Sequence, residues 1–206
     1  MIASLNYSVR FLDAQPTPAD VLFRWTTAIG TFVLDGILLV LMLLIARGIS
    51  LRDAFALRRP ASWPQAVRIG GAALVATWVT SVILNAVVGF ASREQAVPQF
   101  WDESRIAAFV ANALMIAVFV PIVEEFMCRG IGFTLLRRWG RSAAIAGSTV
   151  AFALAHGAVF DLPWVLVTGL GLGYLRARTG SVYPCIALHV TINGIAVLAA
   201  GLIARG

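Results

Sequence analysis

Six residues in the second half of the chain have the types and spacing to do chemistry together: Glu124, Glu125, Arg129, His156, His189 and Asn193. On a helix, positions four apart share a face, whereas adjacent positions diverge by about 100°. Glu125 and Arg129 therefore pair, with the acid N-terminal to the base, the favoured order. Glu124 points elsewhere, so one carboxylate is expected to be structural and held by arginine, the other directed to proton transfer. His189 and Asn193 are again four apart and project from one side, as do Phe152 and His156. These are the only two histidines in the chain, and both fall in apolar stretches. An ionisable group at membrane depth costs about 2.5 to 3.5 kcal/mol on insertion scales, and polar groups buried without partners are costly. A shared site is the expectation.

Such a set can hydrolyse a carbonyl compound. Glu124 and His156 would hold a water, Glu124 taking its proton, while His189 and Asn193 donate hydrogen bonds to the oxyanion that forms. A metal is the alternative: Glu124, His156 and His189 would make a catalytic zinc set with an open position, although the His-Glu-x-x-His helix signature is absent. No serine or cysteine sits in a recognisable nucleophile neighbourhood, with Ser148 and Cys128 left open. A non-catalytic membrane binding protein and a proton-relaying transporter would also bury polar residues. Only an enzyme accounts for a base opposite a donor pair, and a transporter would more naturally carry internal repeats or paired broken helices, which the sequence lacks. Asp35, inside the first apolar run, is a further intramembrane carboxylate. It reads either as part of a water-facing site or as a protonated or paired group, with Asn85 or Thr77 as the partner.

The elements that position these residues are membrane spans. The 206 residues are 60% hydrophobic and only 13% charged, with a mean hydropathy of +0.87, outside the range of soluble globular domains. The fold class expected is an all-α polytopic bundle of about six transmembrane helices forming one integral-membrane domain over residues 1–206. The spans run from about Thr27 to Ala46, Ile69 to Phe90, Ile106 past Val123, Ala143 to Ala158, Leu162 to Leu175 and Val182 to Ile203. All basic residues are arginine, and the net charge of +6 is spread over short segments, which points to membrane orientation and away from nucleic acid. Arg47, Arg52, Arg58, Arg59 and Arg68 follow span one, Arg137, Arg138 and Arg141 follow span three, and Arg176 and Arg178 follow span five. The loops with Arg93, Glu94, Asp102, Glu103 and Arg105, and with Asp161, carry no basic excess, so both termini are expected outside. Trp25, Trp63, Trp101, Trp139 and Trp164 fall near span ends as an interfacial belt, and Trp78 is expected to pack. Arg52 to Pro64 reads as an interfacial loop. The polar stretch from Met1 to Trp25 has no signal-peptide pattern. Cys128 and Cys185 read as small packing residues.

Taken in order, Glu124-Glu125-x-x-x-Arg129, Phe152-x-x-x-His156 and His189-x-x-x-Asn193 resemble the three motifs of the CPBP intramembrane proteases, also called the ABI or CAAX prenyl protease 2-like family. The segment Gly169 to Ser181, with Pro184, resembles the family's text before its last histidine, and the likeness covers about residues 120–194. The resemblance implies an intramembrane endopeptidase in which Glu124 activates water, Glu125 and Arg129 support it, His156 positions the water, and His189 with Asn193 form the oxyanion hole. It implies a membrane-associated peptide or protein as substrate and the lipid bilayer as the setting. The family has been described both as metalloproteases and as glutamate-type proteases. The absence of a zinc helix and the donor chemistry of Asn193 favour no cofactor, with zinc as the alternative. An inactive binding or immunity protein of the same fold is the other alternative. The arginine-only, alanine-rich composition suggests a bacterial inner (cytoplasmic) membrane. One tension follows from helix rise. Started at Ala143, span four puts His156 roughly 20 Å along it, while His189 lies roughly 12 Å beyond Ser181. Meeting requires a start near Ala146 or a tilted span.

Overall fold

In the computed structural model the residues described are 20–88, 101–157 and 161–203. They are helical, with no strand among them. The polar stretch before Asp20 and the loop residues Arg93 and Glu94 lie outside the described residues. Helix α1 spans Trp25–Ile45, α2 is the short Leu51–Ala54, and α3 spans Trp63–Val88. Helix α4 runs continuously over Glu103–Trp139. It is followed by α5 at Arg141–His156, α6 at Leu162–Thr179 and α7 at Tyr183–Ile203.

The long helices expose what a soluble protein would bury. On α1 the buried residues are Ala28, Thr31, Asp35 and Met42, one stripe edged by Phe32, while Ile29, Ile37, Val40, Leu41 and Leu44 face outward. Contiguous apolar surface of this kind needs a non-aqueous neighbour, which lipid supplies along the whole length of a helix. Trp25–Ile45, Trp63–Val87, Glu103–Trp139 and Tyr183–Leu202 are each long and apolar enough to cross a bilayer, and the chain is an integral membrane protein on that ground. That makes four of the six expected spans. The 16 residues of α5 reach only about 24 Å at 1.5 Å per residue, and α6 attains 18 residues by including Arg176 and Arg178. Trp78 does not pack as expected: it is 65% exposed, on the outward face of α3.

Helix α6 is the axis of the bundle, and its glycines explain why. Gly169 and Gly173, four apart, face α5, where added Cβ atoms would meet Thr149 Cγ2 at 3.0 Å and Ile145 Cγ2 at 3.4 Å. Gly171 faces the opposite way, and a Cβ there would meet Ala73 Cβ of α3 at 2.7 Å. Small residues thus let α5 and α3 close on α6 from two sides, the usual means of helix association in lipid. The contact with α3 is completed by a hydrogen bond between the Thr77 and Thr168 hydroxyls at 3.2 Å. Helix α7 packs on α3, α4 and α6, whereas α1 packs on α4.

The segment between α1 and α3 is more than an interfacial loop. Ala54 and Phe55 are buried and cluster with Met42, Ala46, Val123 and Ile131. The carbonyl of Ala56, a residue in the left-handed region at φ 53°, accepts from Val182 N–H at 3.2 Å, and Ala61 N–H donates to the Thr179 carbonyl at 3.1 Å. The stretch straps α4 to the α6–α7 corner. Where the chain enters α4, the Asp20 carboxylate receives Arg24 at 2.8 Å and Arg105 at 3.0 Å, and these two guanidiniums hold its pKa down to about 2.

Candidate active site

Helix α4 carries three of the six residues and departs twice from α geometry. Wide, π-type turns occupy Met115–Phe119 and Phe126–Gly132. Pro121 accounts for the first, since it has no N–H and its ring crowds the carbonyl four residues back, that of Ala117. Each wide turn changes a carbonyl's partner. Val120 N–H reaches the Met115 carbonyl, five residues back, and the Ile116 carbonyl accepts instead from Asn193 Nδ2 at 3.0 Å. Phe133 N–H reaches the Cys128 carbonyl, and the Arg129 carbonyl accepts instead from Arg176 Nε at 2.9 Å. Both turns therefore dock a polar side chain of another helix onto α4, as π-bulges at functional sites commonly do.

Between the two wide turns lies Val120–Glu125, in which Glu124 and Glu125 are both buried. Glu125 is sealed from solvent, and its Oε1 accepts from Arg129 Nη1 at 2.9 Å and from His189 Nδ1 at 2.9 Å. Arg129 is sealed as well. Its Nη2 donates to the Gly169 carbonyl at 3.0 Å and its guanidinium lies 4.4 Å from the centre of the Phe152 ring. One arginine thus joins α4, α5 and α6. The pairing with Glu125 follows the spacing of four in the sequence; the reach to α6 does not.

His189 stands between the two glutamates. Because a carboxylate only accepts, the proton on Nδ1 is directed to Glu125, which turns Nε2 toward Glu124 Oε2 at 3.8 Å. His156 closes α5 just before Gly157, which takes the left-handed conformation at φ 59°. Its Nδ1 donates to the Phe152 carbonyl at 2.8 Å, so Nε2 presents a lone pair. The Phe152 ring lies 4.3 Å from the His156 ring and 5.5 Å from the His189 ring, and His156 is near enough to Glu124 for their charges to act on one another. The depth tension is met without a later start: α5 begins at Arg141 and still brings His156 to the cluster.

All six expected residues therefore converge on the middle of α4, Asn193 through the Ile116 carbonyl. Among the described residues no three His, Cys, Asp or Glu side chains come close enough to hold a metal ion. Of the set Glu124, His156 and His189, Glu124 and His189 lie 3.8 Å apart. Cys128 and Cys185 are buried. Arg176 was missed. Counted as a loop charge, it is in fact buried in the last turn of α6, with its guanidinium 4.9 Å from the Phe133 ring. Its signal was a position seven after Gly169, on the same face of one helix.

No curated protein and no solved structure matches the chain. Residues 106–195, which hold all six of these side chains, match the model of the Rce1-like family, type II CAAX prenyl endopeptidases, the family that the three motifs resemble.

Proposed function

We propose that the chain is an intramembrane endopeptidase that cleaves a peptide bond in a membrane-associated peptide or protein by direct attack of water activated by Glu124. What carries the proposal is the clamp on His189, held at Nδ1 by Glu125 and facing Glu124 with Nε2. Glu124 and the lone pair of His156 Nε2 hold the water. Glu124 takes one proton as the water oxygen bonds to the peptide carbonyl carbon. The oxyanion accepts from His189 Nε2–H, which requires the ring to carry both protons, and from the N–H of Asn193 that Ile116 does not use. Collapse breaks the C–N bond, and the proton on Glu124 passes to the leaving amine. Glu125 and Arg129 touch no reacting atom in this scheme; they orient His189.

A zinc-dependent variant of the same hydrolysis is favoured by one observation. A histidine whose Nδ1 donates to a carboxylate while Nε2 faces outward is the usual arrangement behind a metal ligand. The test is mass-spectrometric detection of cleavage by the purified protein in a bacterial lipid bilayer. The substrates are a farnesylated CAAX peptide and the same peptide without the lipid, and wild type is compared with His156→Ala and His189→Ala. Cleavage by wild type is expected, with turnover about 100-fold or more lower in each variant. Activity that survives a chelator is expected for the metal-free reaction, whereas loss restored by added zinc would assign the metal version. A wild-type protein that binds these peptides and leaves them intact would point instead to a binding or immunity role.

A further inference from the structure

Helix α1 carries a single charged residue, Asp35, in the middle of an otherwise apolar span. It lies on the stripe of α1 that packs on α4, where Phe32 meets Phe119 at a ring distance of 5.4 Å and Met42 joins the cluster containing Val123. Its side chain is 0% exposed, and neither carboxyl oxygen has a hydrogen-bond partner among the described residues. Neither Asn85 nor Thr77 pairs with it; Thr77 is engaged by Thr168. Asp35 is near enough to Glu124 for their charges to act on one another. A sealed, unpartnered carboxyl beside the proposed base is unusual, since buried polar groups are almost always hydrogen-bonded.

A peptide has what Asp35 lacks. For water at Glu124 to reach a carbonyl, the substrate backbone must be extended there, and extension at membrane depth leaves peptide N–H groups without partners. His156 Nε2 is committed to the water, and the unpaired Oε2 of Glu125 is sealed on α4 with Arg129, whereas Asp35 is an unpaired carboxyl on a helix held along one stripe. Resting on the protease proposal above, we infer that Asp35 is a substrate-positioning residue. It accepts a hydrogen bond from a backbone N–H of the peptide next to the bond attacked, the peptide lying between α1 and the Val120–Glu125 turn of α4. Because Asp35 is sealed while α1 lies on α4, the peptide displaces α1, which is held to the bundle along one stripe.

The test separates binding from cleavage by using Glu124→Gln protein and a fluorescent farnesylated CAAX peptide in lipid nanodiscs. Adding Asp35→Leu should weaken binding about tenfold, and Asp35→Asn, whose amide oxygen still accepts, should stay within about threefold. In the protein with Glu124 intact, Asp35→Leu should raise KM by the same factor and leave kcat within about threefold. Its melting temperature should not fall, because an unpaired buried polar group has been removed. Unchanged binding with Asp35→Leu, equal weakening by Asp35→Asn and Asp35→Leu, or a lowered melting temperature would each overturn the inference. A peptide bound in an Asp35-dependent way and never cleaved by wild type would instead overturn the protease proposal.

Discussion

At His189 one imidazole meets two consecutive glutamates, and Arg129 decides which of them is structural. By taking Glu125 Oε1 at 2.9 Å, with the Gly169 carbonyl and the Phe152 face as further supports, the guanidinium fixes the carboxylate that fixes the ring. Removing it would strand a buried charge. Arg129→Met should therefore cost about 3 to 5 kcal/mol of stability, read by denaturant unfolding in detergent. Arg129→Lys should not restore it, since an ammonium lacks the planar fork that serves Glu125 and Gly169 at once. A lysine variant as stable as wild type would remove that role from the arginine. The pair itself was legible in the sequence from its spacing of four. The role of Arg176 was not, because a basic residue at a helix end reads equally as a topological charge, and only packing distinguishes the two.

The decisive element is α4, and what makes it so is the pair of wide turns. Each spends one backbone carbonyl on a side chain from another helix, Ile116 on Asn193 and Arg129 on Arg176. The short α segment between them is thereby held in rotation about the helix axis. Arg176→Met removes the donor that holds the second wide turn and should free the segment carrying Glu124 to rotate. The expected result is a loss of cleavage of about tenfold or more with helical content by circular dichroism unchanged. Retained cleavage would show that this dock does not set the geometry of the site. Of this element the apolar length and the acidic motif were legible. Pro121 hinted at the first irregularity and Gly130 and Gly132 at the second, where a Cβ on Gly132 would meet the Met127 carbonyl oxygen at 2.7 Å, but the second also depends on Arg176 arriving from 47 residues away.

For the whole molecule, the apolar runs announced a helical membrane protein, and four of the six expected spans are helices long and apolar enough to cross a bilayer. Hydropathy does not separate a helix facing lipid from one facing other helices: α6 is apolar because α3, α5 and α7 pack around it, with Gly169 and Gly173 against α5 and Gly171 against α3. The same ambiguity placed Trp78 inside. Orientation rests on the arginine loops, and it is testable because both native cysteines are buried. A cysteine at exposed Arg138, at the end of α4, should resist a membrane-impermeant thiol reagent in intact bacterial cells and react once the membrane is opened. Labelling in intact cells would invert the proposed topology.

The central claim is that Glu124 is the base, and the direct measurement is the turnover of Glu124→Gln on a peptide that wild type cleaves. Glutamine keeps the size and the hydrogen bonding of the side chain and cannot take a proton. The account predicts a kcat lower by a factor of about 100 to 10,000, with peptide affinity and melting temperature near wild type. A Glu124→Gln protein that turns over within a few fold of wild type would contradict it.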